Sequence, residues 1–167
     1  MRLLVVSDTH DNLDAVDALL RSVEGEGFDA VIHAGDIVSP FTLKKFAGLR
    51  FYGVFGNNDG EKLVLSRIAE ENGMLLVEQP LLLELGGYRI AVIHGVRGAE
   101  DTHKLVVSLA KSGDYDLVVY GHLHRSDIRE IAGTLIVNPG ALSGYLAGRR
   151  TYAWVDLDKR VVEIAEV

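Results

Sequence analysis

Short, unbroken apolar runs at residues 2–7, 30–33 and 51–55 have the length of buried strands. Between the first two, Leu13, Val16, Leu19, Leu20 and Val23 recur every three or four positions. That spacing predicts a helix, capped by Asp11 or Asn12 and stopped by Gly25. Residues 41–46 predict a short helix with Pro40 near its first turn, and residues 63–72 predict another that Gly73 ends. Beyond residue 80 the rhythm changes. Apolar segments at 81–85 and 88–93 flank Gly86-Gly87, a hairpin signal. A helix over 102–110 precedes an apolar strand at 117–120 that runs directly into Gly121-His122. Segments 128–131 and 134–137 flank Ala132-Gly133, and 152–157 and 161–165 flank Asp158-Lys159-Arg160, giving two further hairpins. βαβ units followed by hairpins, without a linker or repeat, predict one α/β domain over residues 1–167. The expected architecture is two mixed β-sheets face to face, flanked by helices.

Composition narrows the setting. At 48% hydrophobic residues the chain can bury a sizeable core. No apolar run approaches the ~20 residues of a membrane-spanning helix, and the opening residues lack the pattern of a secretory leader. A cytoplasmic protein without membrane association is expected. The absence of cysteine excludes disulfides, thiolate metal sites and a cysteine nucleophile. The formal charge is −7 and no basic stripe is present, which argues against broad nucleic-acid backbone binding. Carboxylates that hold divalent cations would cancel part of that charge.

The metal-capable residues fall at strand ends. Asp8 and His10 follow the first strand, Asp36 the second, and Asn57, Asn58 and Asp59 the third. His94 follows the strand at 88–93, and His122 and His124 follow the one at 117–120. Open α/β sheets place their ligand sites at such carboxyl ends. Asp8/His10 and His122/His124 are i, i+2 pairs, which in extended chain share a face. Asp8, His10, Asp36, Asn57, His94, His122 and His124 exceed the four ligands usual for one zinc and suit two ions if one carboxylate bridges. Imidazole mixed with carboxylate fits Mn, Fe, Zn, Co or Ni better than Ca. Paired ions ~3.5–4 Å apart suit in-line displacement at a phosphate ester. His33, inside an apolar strand, reads as a packed or supporting residue, and His103, beside Lys104 on a helix, reads as solvated. Arg149-Arg150 can meet a phosphate, although a charged loop before the last hairpin is the simpler reading.

Five blocks in order, Asp8-Thr9-His10, Gly35-Asp36, Gly56-Asn57-Asn58-Asp59, His94-Gly95 and Gly121-His122-Leu123-His124, resemble the calcineurin-like metallophosphoesterases. The chain length and Asn138-Pro139-Gly140 resemble the small single-domain phosphodiesterase branch of archaea and bacteria. The resemblance implies one metal on Asp8, His10, Asp36 and His124. It implies a second on Asp36, Asn57, His94 and His122, with Asp36 as the bridge. It further implies attack on phosphorus by a hydroxide between the ions; Asp36, Asn58 and Asp59 are the expected catalytic residues, and Asn58, with Arg149, is an expected substrate contact. Two divalent ions, Mn²⁺ or Ni²⁺ ahead of Zn²⁺, Fe²⁺ or Co²⁺, a small phosphodiester substrate and a homodimer are the corresponding expectations.

Two positions depart from the wider superfamily. Asn58 stands where many members have His, and Val96 stands where another His often follows His94-Gly95. An amide donates a hydrogen bond but cannot act as a general acid near neutral pH. Asn58 therefore favours good leaving groups or protonation by solvent, and a phosphodiesterase over a general phosphatase, with monoesterase activity as a secondary expectation. Two rivals remain at this level: a protein-interaction scaffold of the same fold with little or no catalysis, and a site with a single zinc.

Overall fold

In a computed structural model describing residues 1–167, strand β1 (Arg2–Val6) is covered on both faces. Its side chains alternate between two cores, as the two-residue repeat of a strand requires. Leu4 and Val6 join an outer core with Ala15, Val16 and Leu19 of helix α1 (Leu13–Ser22). Leu3 and Val5 instead join Ala30 and Ile32 of β2 (Ala30–His33) in a core that reaches the opposite sheet. Helix α2 (Pro40–Lys44), strand β3 (Phe51–Val54), helix α3 (Lys62–Glu71) and strand β4 (Leu75–Val77) follow. Leu43, Leu65 and Ile68 extend the outer core beneath α2 and α3.

The second layer is assembled from β5 (Leu81–Leu85), β6 (Tyr88–Ile93), helix α4 (Ala99–Lys111), β7 (Leu117–Tyr120), β8 (Ser126–Ile131) and β9 (Thr134–Pro139). Here too the alternation is readable. Leu117 and Val119 face the central core, whereas Val118 and Tyr120 pack with Val106 and Ala110 of α4. The chain then returns to the first sheet through β10 (Thr151–Asp156) and β11 (Val161–Glu166). The strand orders are β11-β10-β1-β2-β3-β4 and β5-β6-β7-β9-β8. Strands β1 to β4 are mutually parallel, as are β6, β7 and β9, while β10, β5 and β8 pair antiparallel. Both sheets are therefore mixed, and the layers run helix, sheet, sheet, helix as expected.

Parallel pairing fixes where the chemistry gathers. The carboxyl ends of β1, β2 and β3 lie along one edge, and those of β6 and β7 lie along the edge facing it. The strand β4 was not anticipated, and α4 begins three residues before the expected start. No helix is long and apolar enough to cross a membrane.

Candidate metal centre

The turn after β1 hooks onto the turn after β2. Asp8 N–H donates to Gly35 C=O at 3.0 Å, and His10 N–H donates to Asp36 C=O at 3.0 Å. Asp8, His10, Asp36, His122 and His124 all have left-handed backbone, with φ of 54°, 42°, 58°, 69° and 53°. Such angles carry a cost for residues with a Cβ and persist only where surrounding bonds hold them. The i, i+2 pairs are thus not extended chain, and the face-sharing expected of His122 and His124 does not occur. The His124 ring stacks at 4.9 Å on His10, while the His122 ring lies 5.0 Å from His94. A tight turn sends the two rings to different groups.

One group consists of Asp8, His10, Asp36 and His124, whose ligand-type atoms all lie within 4.8 Å of one another. Asp8 Oδ2 accepts from Ser7 Oγ at 2.6 Å and from His122 N–H at 3.0 Å. Its other oxygen, Oδ1, is buried without a hydrogen-bond partner, 3.2 Å from His124 Nε2 and 3.6 Å from His10 Nε2. The two Nε2 atoms are 3.1 Å apart. Two imidazole lone pairs and an orphaned carboxylate oxygen converge, and a divalent cation satisfies all of them at once. The donor set fits such an ion.

A second group abuts the first through Asp36. His94 Nδ1 donates to Ala34 C=O at 2.8 Å, which leaves Nε2 with its lone pair 2.9 Å from Asn57 Oδ1 and 3.4 Å from Asp36 Oδ2. His122 Nε2 donates to Arg97 C=O at 2.7 Å, leaving Nδ1 as its free nitrogen. A ring nitrogen anchored on a carbonyl is the usual way to orient an imidazole toward a metal. Asp36 Oδ2 also lies 3.5 Å from His10 Nε2, so this single carboxylate oxygen faces imidazoles of both groups.

The charges match this geometry. Burial pushes the Asp8 carboxyl up, but the His10 and His124 imidazoles beside it outweigh this, and the net shift is downward. For Asp36 burial is likewise overcome, by His94 and by Asn58, and the carboxyl is again lowered. His10 is raised, chiefly by Asp8. His94 is raised too, Asp36 outweighing its burial.

Asn58 and Asp59 hold the loop. Asn58 donates its backbone N–H to Asp36 Oδ1 at 2.8 Å and its side-chain amide to Oδ2 at 2.7 Å. Asp59 is buried, and its oxygens accept from the N–H groups of Asp36 at 3.0 Å, Gly56 at 2.7 Å and Val38 at 2.6 Å. That carboxylate organises backbone, and burial raises it despite these donors. Arg149 is exposed and paired with Glu166, although it borders the same surface cavity as His124. His33 is fully buried beside the centre, and His103 is exposed on α4.

Several supporting residues went unread in the sequence. Ser7 steadies Asp8. Gln79 Oε1 accepts the N–H groups of His94 and Gly95 at 2.9 and 3.1 Å. Asn138 donates to Gly121 C=O at 2.9 Å, fixing the turn that carries His122. Serine, glutamine and asparagine in loops carry no distinctive signal of their own; only the Asn138-Pro139-Gly140 run stood out.

Opposed turns at the carboxyl ends of two packed sheets, filled with Asp, Asn and His, define a phosphoesterase-type centre. Residues 1–160 match the calcineurin-like phosphoesterase superfamily domain, and the chain belongs to that family. It is a hydrolase acting on phosphoester bonds. It is 35% identical to Phosphodiesterase MJ0936 of Methanocaldococcus jannaschii, over 96% of this chain and 95% of that protein. The solved structure of an archaeal phosphodiesterase superposes with a TM-score of 0.90 at 30% identity, covering 100% of both chains. E. coli YfcE, a phosphoesterase, shares the fold with a TM-score of 0.70 at 20% identity, covering 100% of this chain and 98% of its own.

Proposed function

We propose that this protein is a cytoplasmic, divalent-metal-dependent phosphodiesterase acting on a small phosphodiester. Asp8, His10, Asp36 and His124 hold one ion. Asp36, Asn57, His94 and His122 hold the other, His122 through Nδ1. The observation that carries the reading is the position of Asp36 Oδ2, 3.5 Å from His10 Nε2 and 3.4 Å from His94 Nε2. An oxygen placed between two sets of imidazole lone pairs suits a bridging ligand. Divalent ions held there supply Lewis-acid charge toward a phosphate oxygen and make water a better nucleophile.

The chain's own residues set the rest. Asn58 fixes both oxygens of Asp36 and so holds the shared carboxylate in one orientation. Asp59 acts as a positioning residue, tying the loops of Asp36 and Gly56 together. No imidazole stands where Asn58 lies, so a leaving alkoxide takes its proton from solvent, and diesters with acidic alcohols react fastest. The similarity to an archaeal phosphodiesterase along nearly the whole chain favours a diester substrate. The mixture of carboxylate and imidazole favours Mn²⁺ or Ni²⁺.

The test is hydrolysis of bis(p-nitrophenyl) phosphate by protein loaded with Mn²⁺, with metal content measured alongside. Two equivalents per chain are expected. Asp36→Asn should lower kcat by more than the ~10–100-fold typical of losing a supporting residue and reduce the bound metal. Full activity of Asp36→Asn, or one equivalent of metal in active protein, overturns the two-ion reading.

A further inference from the structure

Beside the centre lies a cleft of about 560 Å³ whose lining includes Asn58 and Asp11. Its apolar lining comes from Val38, Phe41, Val64 and Ile68. Phe41 is 68% exposed and Val64 46% exposed. Large apolar side chains left in water next to a charged centre lose the stabilisation that burial would give them, and a substrate can supply that cover. Building on the phosphodiesterase reading, we propose that this cleft is the subsite for one ester substituent of the substrate, and that this substituent is an aromatic or similarly flat apolar group.

The cleft is continuous with the chemistry. Asn58, which lines it, donates to Asp36 Oδ2 at 2.7 Å, so the cleft begins one side chain away from the shared carboxylate. Its polar lining does not select strongly for charge. Asp11 is engaged by the hydroxyls of Thr42, at 2.8 Å, and Ser39. Lys44 and Glu61, of opposite charge, both line it. What remains for recognition is the aromatic face and the aliphatic edge.

The walls are also fixed relative to the centre. Val38, a β-branched residue, has a φ of 78°, where such residues are rarely found. Asp59 Oδ1 holds it there by accepting its N–H at 2.6 Å, while Oδ2 of the same carboxylate accepts the N–H of Asp36 at 3.0 Å. One buried carboxylate therefore sets both the shared metal residue and the segment leading into Phe41. A subsite built this way is pre-organised and binds a rigid ring with little further ordering.

The experiment is calorimetric titration of Mn²⁺-loaded protein with phenylphosphonate and with methylphosphonate. Both present the same anionic head, and they differ only in the group offered to the cleft. Phenylphosphonate is expected to bind at least about tenfold more tightly, the scale of burying one ring. Phe41→Ala and Val64→Ala, both at exposed positions, should bring that ratio toward one while methylphosphonate affinity stays as in the wild type. Equal affinities in the wild type, or a ratio unmoved in both variants, overturn the subsite even if bis(p-nitrophenyl) phosphate is still turned over. If neither phosphonate binds and no diester is hydrolysed, the phosphodiesterase reading fails and the subsite with it.

Discussion

A methyl group on Gly56 would stand 2.2 Å from Asp36 Oδ1 and 2.5 Å from Asp36 N. Neither neighbour can retreat, because Asp36 N–H is held by Asp59 and Oδ1 by Asn58 N–H. Gly56→Ala should therefore destabilise the fold by about 1–3 kcal/mol, the usual range for overpacking, and weaken metal binding. Urea unfolding and a Mn²⁺ titration would read the two effects; native values for both would show that the loop yields. A different constraint acts on His33. Its Nδ1 accepts the N–H of Gly35 at 3.1 Å, which leaves Nε2–H facing Thr9 Oγ1 at 3.2 Å, and that hydroxyl donates to Asp36 C=O at 3.3 Å. Only the neutral ring satisfies this arrangement, and burial pushes its pKa down to about 3. The unfolded chain takes up the proton first as pH falls below about 6.5. Stability is thus lost between about pH 6.5 and pH 3, by up to about 1.4 kcal/mol per unit. The stability difference between wild type and His33→Gln should shrink as pH drops from 7 to 5 in chemical denaturation. A difference that stays constant would mean His33 titrates normally in the fold.

Helix α1 depends on Asn12 in two ways. Its Oδ1 accepts Ala15 N–H at 3.1 Å as the N-cap, and its Nδ2 donates to Ser143 C=O at 2.9 Å. Asn12→Ala removes a cap contributing about 1 kcal/mol and leaves a carbonyl unpaired. Asn12→Asp should recover the cap portion alone, so thermal unfolding should rank wild type, Asn12→Asp, Asn12→Ala; equal values for wild type and Asn12→Asp would remove the link to Ser143, and equal values for the two variants would remove the cap. The residue pattern made this helix readable, since Leu13 to Val23 follow one face and a capping side chain precedes them. It also made readable the strands 30–33, 81–85, 88–93 and 117–120, which are buried runs or hairpins with clear turn residues. β4 escaped because three residues after a helix-stopping glycine show no alternation, and parallel pairing with β3 alone makes it a strand. The start of α4 escaped because its first turn is Ala99, Glu100 and Asp101, which favour a helix N-terminus electrostatically but present no apolar face. The candidate ligands were legible as strand-end Asp, Asn and His. Their partition into two groups was not legible from spacing, because left-handed backbone at Asp8, Asp36, His122 and His124 is a product of the assembled loops.

The whole molecule concentrates anionic oxygens where its two sheets meet, against a net charge of −7. Cations that bind this native arrangement and not the unfolded chain should raise its stability by mass action. With free Mn²⁺ at about 100 times its Kd, the gain is about 2.7 kcal/mol. For a domain of this size that corresponds to a Tm rise of about 5–10 °C over chelator-treated protein. Differential scanning calorimetry across a Mn²⁺ series checks this; a Tm independent of metal would show that the centre contributes nothing to folding. The order in which the sheets are completed has a further consequence. β1 pairs with β10, Leu3 opposite Val155, and the turn before β10 docks on the centre, with Leu142 N–H on Ser7 C=O and Ser143 N–H on Asp8 C=O, each at 3.0 Å. During synthesis β1 can pair with β2 at once but is made long before β10, its partner on the other edge, and Asp8 is made long before His124. Closing a loop of that length is slow, so the nascent chain carries an open strand edge until β10 is made and an incomplete ligand set until His124 is made. Assembly of the ligand set therefore waits on the contacts that bring the turns after β1, β2 and β7 together.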